Sequence, residues 1–204
     1  VSLARNIGYV PRSRSAAKAT ISFSIETTAN TPTLTLSAGL VCIGASENST
    51  IMFSIPSSIT TTVVNGVANF ENIEVYQGTF LRKQFLVDGS LDQRFLLDNS
   101  FIDSSTIVVK VKGLSDTNTL GREYSLASNI LNIDSTSETY LIQEVQDEKY
   151  ELLFGDGYFG KKLENGAVIT ATYIITDGKS GNGSANFSYC LLYTSDAADD
   201  SACV

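Results

Sequence analysis

Histidine and tryptophan are both absent from this sequence of 204 residues. Without histidine, the chain lacks the usual general base near neutral pH and the most common zinc ligand. It also lacks the base that activates the nucleophile in Ser-His and Cys-His pairs. A serine without a base beside it is a poor nucleophile, so no serine is predicted to be catalytic. The many serine and threonine residues are interpreted instead as the solvent-facing residues of β-sheets.

Cysteine and positive charge are scarce as well. The three cysteines, Cys42, Cys190 and Cys203, have no metal-site spacing and are odd in number, which argues against a disulfide framework and favours a reducing compartment. Basic residues number 14 against 22 acidic ones, and the net charge of −8 disfavours nucleic-acid binding. No apolar run reaches the roughly 20 residues of a membrane span.

Residues 1–16 are predicted to be the end of a helix followed by a linker. Leu3 and Ile7 have helical spacing, Gly8 suits the position after a helix end, and Pro11 prevents the helix from continuing. The chain begins with valine, and Ser2–Gly8 has neither the basic nor the apolar part of a signal peptide. We therefore expect either a processed start or a fragment.

Residues 17–114 are predicted to form an antiparallel β domain. From Ala19 to Glu26 apolar and polar residues alternate, as in a strand with one buried face. Asn65-Gly66 is the preferred pair for a type I′ turn and predicts a two-residue hairpin. Turns about every 8–12 residues are typical of a sandwich, and they separate further strands predicted at 33–38, 51–55, 61–64, 67–70, 71–76, 80–87, 93–97 and 106–112.

Residues 115–137 are polar and are predicted to be a crossing loop or soft boundary, with a short helical turn near Tyr124–Leu131. Residues 138–189 are predicted to form a β-hairpin unit in which Tyr140–Val145 and Lys149–Phe154 pair, with a second tight turn at Asn165-Gly166. The predicted fold class is mainly β, with one or two antiparallel sandwich-like domains, a helix end at the N-terminus and a glycine-rich β-hairpin unit near the C-terminus.

A glycine-rich turn is formed by Phe154, Gly155, Asp156, Gly157 and Gly160. Glycines at this spacing indicate backbone with positive φ, and we predict that the turn caps two antiparallel strands. A calcium loop from Asp177 is disfavoured because Lys179 stands where a ligand is needed. A dinucleotide fingerprint is disfavoured because no helix follows the glycines. No catalytic, metal-binding or cofactor-binding residue is predicted, and no cofactor is expected.

Two carboxylate pairs are candidates for acid–base chemistry, Asp98 with Asp103 and Glu144 with Glu148. Sequence neighbours on strands and turns rarely converge in one cleft, so both pairs are interpreted as solvated surface. Cys42 lies in an apolar run and is interpreted as an inert core residue.

Residues 190–204 break the alternation and follow an apolar Leu-Leu-Tyr with an acidic run. They resemble the translated read-through of a sequencing adapter, as found at the ends of genes from metagenomic assemblies. Without Asp196, Asp199 and Asp200 the net charge changes from −8 to −5. We predict a non-native tail without stable packing.

The chain resembles one family, the baseplate wedge proteins of T4-like contractile-tailed bacteriophages, which are related to the baseplate J group. The resemblance depends on the stretches Leu3–Ser13, Ala16–Ile25, Tyr150–Gly157, Phe159–Leu163 and Tyr173–Gly178. Gln93-Arg94-Phe95 and Ile102-Asp103 add weaker support.

The resemblance implies a structural, non-enzymatic subunit of the virion. Such a subunit self-associates and joins other wedge proteins in the tail baseplate after assembly in the host cytoplasm. It needs no cofactor, nucleic acid or membrane span. A surface-exposed β-sandwich adhesin or carbohydrate-binding module is the alternative, since loops bearing Tyr and Asn could bind sugars. An enzyme such as a glycoside hydrolase is a third interpretation, and it is disfavoured because it would need two carboxylates that converge in one cleft.

Overall fold

The computed structural model describes residues 14–28, 30–46, 49–90, 92–127, 133–145, 148–178, 184 and 186–189. These residues form strands and a single 3₁₀ turn, Ser104–Thr106, and no α-helix is found among them. The strands are β1 Lys18–Glu26, β2 Thr33–Leu36, β3 Gly39–Ser46, β4 Ser49–Ile55, β5 Ile59–Val64, β6 Val67–Gln77, β7 Thr79–Leu86, β8 Phe95–Leu97, β9 Val108–Lys112, β10 Arg122–Leu126, β11 Thr139–Glu144, β12 Tyr150–Phe154, β13 Val168–Ile175 and β14 Asn186–Tyr189.

Among the described residues, the chain divides into two compact units, and in sequence one of them is inserted into the other. The host unit contains Arg14–Leu81 and the described residues from Ile174 onward, while the inserted unit contains Arg82–Tyr173. The chain leaves the host unit within β7 and returns to it within β13. The domain ranges expected from the sequence divide the chain differently and stay a prediction.

The host unit is a sheet with the strand order β14-β3-β4-β6-β5-β2. A seventh strand, β1, is not part of this order and pairs with β6. The pairings among these strands are antiparallel, as predicted for this half of the chain. The alternation of β1 places Ile21 against Ile73 and Phe23 against Phe70. These side chains join one apolar core with residues of β3, β4 and β6.

The inserted unit is a sheet with the strand order β7-β13-β9-β10-β11-β12-β8. Although β7 and β8 are its end strands, Lys83 Nζ lies 2.8 Å from Asp98 Oδ1 and the rings of Phe85 and Phe95 are 5.6 Å apart. The sheet therefore curls until the side chains of its two end strands meet. The Tyr140 hydroxyl donates to the buried carbonyl of Ile107 inside this unit, at 3.1 Å.

Several sequence predictions are confirmed. The chain is mainly β, and within each unit antiparallel strands pack around an apolar interior in a sandwich-like manner. Asn65 and Gly66 both have positive φ, 52° and 78°, between the paired residues Val64 and Val67, as a type I′ turn requires. At Asn165-Gly166 the amide of Ala167 donates to the carbonyl of Glu164, which closes the second predicted turn.

Other predictions are corrected or lie outside the described residues. The helical turn near Tyr124–Leu131 is wrong where it can be checked, because Arg122–Leu126 is a strand that pairs antiparallel with β9 and parallel with β11. The two strands predicted at 67–70 and 71–76 are the single strand β6. The helix end within residues 1–13 and the tail 190–204 lie outside the described residues.

Candidate functional site: the glycine-rich loop

The glycine-rich loop begins where the hairpin β11–β12 ends. In this hairpin Tyr140 lies opposite Phe154, and the amide of Val145 donates to the carbonyl of Lys149 at 2.8 Å. Phe154 is half-buried, and its ring packs near those of three aromatic residues, Phe95 on β8, Tyr124 on β10 and Tyr140 on β11. The start of the loop is thereby fixed to the interior of the inserted unit.

The loop folds back on itself through two glycines. Gly155 forms an isolated parallel bridge with Lys162, and a Cβ added at Gly155 would lie 2.1 Å from the carbonyl carbon of Gly160. The amide of Gly157 donates to the carbonyl of Gly160 at 3.1 Å. Gly155 is therefore required by close backbone contact, whereas Gly157 and Gly160 are required by positive φ values of 96° and 86°.

Asp156 holds the tip of the loop. Its Oδ1 accepts hydrogen bonds from the amides of Tyr158 and Phe159, at 2.8 and 2.9 Å. These bonds, led by the one from Phe159, hold the pKa of Asp156 below its usual value. The two aromatic side chains project outward, and 83% of Tyr158 and 64% of Phe159 is exposed. The carboxylate therefore orders a turn that presents two neighbouring aromatic rings.

A second loop supports the first from the residues just before β11. The amide of Gly160 donates to the carbonyl of Asp134, and the amide of Lys161 donates to the carbonyl of Ser137, both at 2.9 Å. Asp134 Oδ1 itself accepts from the amide and hydroxyl of Thr136 and from the hydroxyl of Ser137. These contacts hold the pKa of Asp134 below its usual value, with the Ser137 hydroxyl contributing most.

A charged cleft of about 210 Å³ lies beside this second loop, and Lys161 and Lys162 are among its lining residues. Glu138 is paired with Lys161 at 2.8 Å and with Arg122 at 3.3 Å, and Arg122 also lies 3.5 Å from Asp116. The hydrogen bond that Lys161 donates to the Glu138 carboxylate raises the pKa of Lys161. Arg122, Lys161, Asp116 and Glu138 therefore form one network of ion pairs at this cleft.

The prediction that Gly155-Asp156-Gly157 caps two antiparallel strands is wrong. β12 pairs with β11 and β8, whereas β13, the strand after the loop, pairs with β9 and lies beside β7. The loop therefore connects strands that are not neighbours in the sheet. Phe154, Gly155, Asp156, Gly157 and Gly160 do lie together in one turn, and their value as a family marker stays a prediction.

The candidate carboxylates Asp98 and Asp103 have separate structural roles. Asp98 is paired with Lys83, whereas the buried Asp103 caps the 3₁₀ turn by accepting from the amide and hydroxyl of Ser105. Cys42 lies fully buried in β3, and burial raises the pKa of its thiol to about 11. Within the described ranges, no group of three or more Cys, Asp or Glu side chains is arranged to hold a metal ion.

Two features of the site were not predicted from the sequence. The turn that exposes Tyr158 and Phe159 has a local signal in the sequence. An aspartate often accepts hydrogen bonds from the backbone amides two and three residues after it, as Asp156 does here. The grouping of Arg122, Glu138 and Lys161 has no such signal, because these residues come from three separate segments.

Comparison with known proteins finds one informative similarity. No protein-family model matches the sequence. The chain is 25% identical over 212 aligned positions to Baseplate wedge protein gp6 of Enterobacteria phage T4. The match covers 95% of this chain but only 31% of the phage protein. It supports a distant relationship to baseplate wedge proteins. No helix in the described part of the chain is long and apolar enough to cross a membrane.

Proposed function

We propose that this chain is a structural subunit of a phage tail baseplate wedge, acting through self-association and contacts with other wedge proteins. The observation that carries the proposal is the similarity to the T4 baseplate wedge protein over 95% of the chain. A subunit of this kind resides in the virion tail and is assembled in the host cytoplasm. We propose no catalytic role for it.

The geometry of the glycine-rich loop supports a role in binding another protein. Aromatic side chains dominate the energetics of protein interfaces, above all when they are held in place before binding. Tyr158 and Phe159 are consecutive, largely exposed and presented by a backbone that Asp156, Gly155 and Gly160 constrain. We propose that this aromatic tip contacts a second wedge protein.

The test is co-expression of the chain with the other wedge proteins encoded beside it, followed by affinity capture and measurement of the dissociation constant. We expect Phe159→Ala to weaken capture of one partner by tenfold or more, since hot-spot truncations commonly cost that much. Leu120→Ala is the matched control, because Leu120 is a similarly exposed apolar residue of the same unit, at 70%. If none of the wedge proteins is captured, the proposed function is refuted.

The exposed aromatic pair also favours one competing function, carbohydrate binding by an adhesin-like module. Aromatic rings can stack on the apolar faces of sugars, and Tyr158 offers a hydroxyl beside its ring. This function predicts glycan binding by the isolated chain that is lost in Tyr158→Ala. A glycan array probed with both proteins distinguishes the two functions, because a wedge subunit is expected to bind no glycan.

A further inference from the structure

Strand β2 ends the sheet of the host unit. Thr33, Leu34, Thr35 and Leu36 pair with Thr62, Thr61, Thr60 and Ile59 of β5. On the other side of β2, no strand of the described chain is paired with it. The outer backbone N–H and C=O groups of such an edge strand are a template for another strand.

This edge lacks the charges that usually prevent edge-to-edge pairing. Between Glu26 and Glu71 the sequence contains a single charged residue, Glu47, and β2 and β5 contain none. Edge strands are commonly protected by lysine, by an inward-pointing charge or by a proline within the strand. Here the nearest proline, Pro32, precedes β2 and leaves its four residues with all their N–H groups.

A second copy of the same chain fits this edge. The chain carries a net charge of −8, so two copies repel each other over most of their surfaces. At β2 and β5 no carboxylate opposes a close approach. Thr33 and Thr35 are exposed, whereas Leu34 and Leu36 are half-buried, so two β2 strands have matching polar and apolar faces. A two-fold axis brings the same patch of each copy together.

We propose that the chain self-associates by antiparallel pairing of β2 with β2 of a second copy, with Thr35 opposite Thr35 of that copy. Residues directly opposite each other in a sheet share a face, so Leu34 then lies opposite Leu36 of the second copy and the leucine face continues. Centring the pair on Leu34 instead would place Pro32, which has no N–H group, opposite Leu36. The inference rests on the proposed function in that self-association is part of it.

The contact is small. Four residues per copy bury less than the roughly 1,200 Å² of a stable interface, so we expect a weak and concentration-dependent dimer of the isolated chain. Such a contact gains strength when many copies are held close together, because the second binding event becomes intramolecular. A covalent trap therefore tests the geometry better than an affinity measurement does.

The first experiment is disulfide trapping with Thr35→Cys in a background of Cys190→Ser and Cys203→Ser. Opposite Cα atoms of an antiparallel pair are about 4.5–5.5 Å apart, within the range that a disulfide bridges. We expect Thr35→Cys to give a covalent dimer under mild oxidation. Cys42, fully buried, is expected to contribute none.

The matched control is Thr60→Cys. Thr60 is exposed on the same face, and its hydroxyl lies 2.8 Å from that of Thr35, so both variants lose the same cross-strand hydrogen bond. Two Thr60 residues would be three strand spacings apart, about 14 Å, which is too far for a disulfide. Equal crosslinking of the two variants, or none with Thr35→Cys, would overturn the proposal.

A charge-mixing experiment separates pairing from misfolding. We expect Thr35→Lys and Thr35→Glu to lower dimer formation severalfold when each is alone, since like charges then face each other. Mixing the two is expected to restore the dimer as a heterodimer, detected by native mass spectrometry. A variant that merely failed to fold would not be rescued by mixing, and absence of the heterodimer would count against pairing at β2.

The two proposals fail separately. Loss of the β2 dimer with retained capture of wedge proteins would reject this inference and leave the proposed function standing. A trapped β2 dimer that captures no wedge protein would reject the baseplate role and leave the edge pairing intact.

Discussion

Gly155→Ala tests whether close backbone contact holds the glycine-rich loop together. The added methyl group would lie 2.1 Å from the carbonyl carbon of Gly160, where carbon atoms ordinarily stay about 3.5 Å or more apart. The backbone at Gly160 would therefore have to move by about 1.4 Å or more, the difference between these two distances. Neither atom belongs to a flexible side chain, so the clash cannot be relieved by a rotamer change.

The magnitude follows from the hydrogen bonds that this movement breaks. Three backbone bonds meet at Gly160 and Lys161, and their partners are Gly157, Asp134 and Ser137. At a net value of about 1 kcal/mol each, their loss lowers the free energy of opening this loop by about 3 kcal/mol. Hydrogen exchange of the Gly160 and Lys161 amides measures that free energy directly, because both amides are donors in these bonds.

Gly157→Ala is the matched control. Gly157 has a φ of 96°, but its added Cβ would meet only the Lys162 Cβ, at an ordinary 3.6 Å. A left-handed conformation costs a non-glycine residue about 1–2 kcal/mol. We therefore expect the smaller effect here. Exchange at Gly160 that is no faster in Gly155→Ala than in Gly157→Ala would refute the reasoning.

Three further predictions concern buried groups. Arg94 donates two hydrogen bonds to the buried Glu151 carboxylate and lowers its pKa, so Arg94→Ala should lower the free energy of unfolding by leaving that carboxylate without its charged partner. Urea unfolding measures the difference in unfolding free energy between this variant and the original chain. Because the pKa of Glu151 is lowered in the folded chain, this difference should be largest above the unfolded-state pKa of about 4.3. It should vanish as the pH falls below the pKa of Glu151 in the folded chain. Tyr140→Phe removes a buried hydrogen bond to the Ile107 carbonyl and should lower the unfolding free energy by about 1 kcal/mol, whereas unchanged stability would contradict the bond. The Cys42 thiol, with a pKa of about 11, should react with a thiol reagent at pH 8 only on unfolding, measured with Cys190 and Cys203 replaced.

Strands in which apolar and polar residues alternate could be predicted from the sequence. Strands that form only because distant segments pair with them could not. β1 has a regular period of two, and Asn65-Gly66 specifies its turn locally. β3 has a nearly continuous apolar sequence with a register shift between Leu40 and Cys42, so it lacks that alternation. β10 buries only Tyr124, and it is a strand because β9 and β11 pair with it.

Only part of the structure of the glycine-rich loop could be predicted from the sequence. Its glycine spacing predicted positive φ, which Gly157 and Gly160 have. Its partners could not be predicted, because Asp134 and Ser137 lie more than twenty residues before Gly160 and Lys161, whose amides donate to them. The edge position of β2 depends on the strand order of the whole sheet, and no local pattern encodes that order.

The insertion of one unit into the other has a consequence for synthesis on the ribosome. Strand β14 pairs with β3, with Asn186 opposite Ala45. The host sheet can therefore add β14 only after Asn186–Tyr189 has emerged from the ribosome. The inserted unit has all of its residues once Tyr173 has left the exit tunnel. It can therefore mature first, while the host unit stays incomplete until β14 has been synthesised.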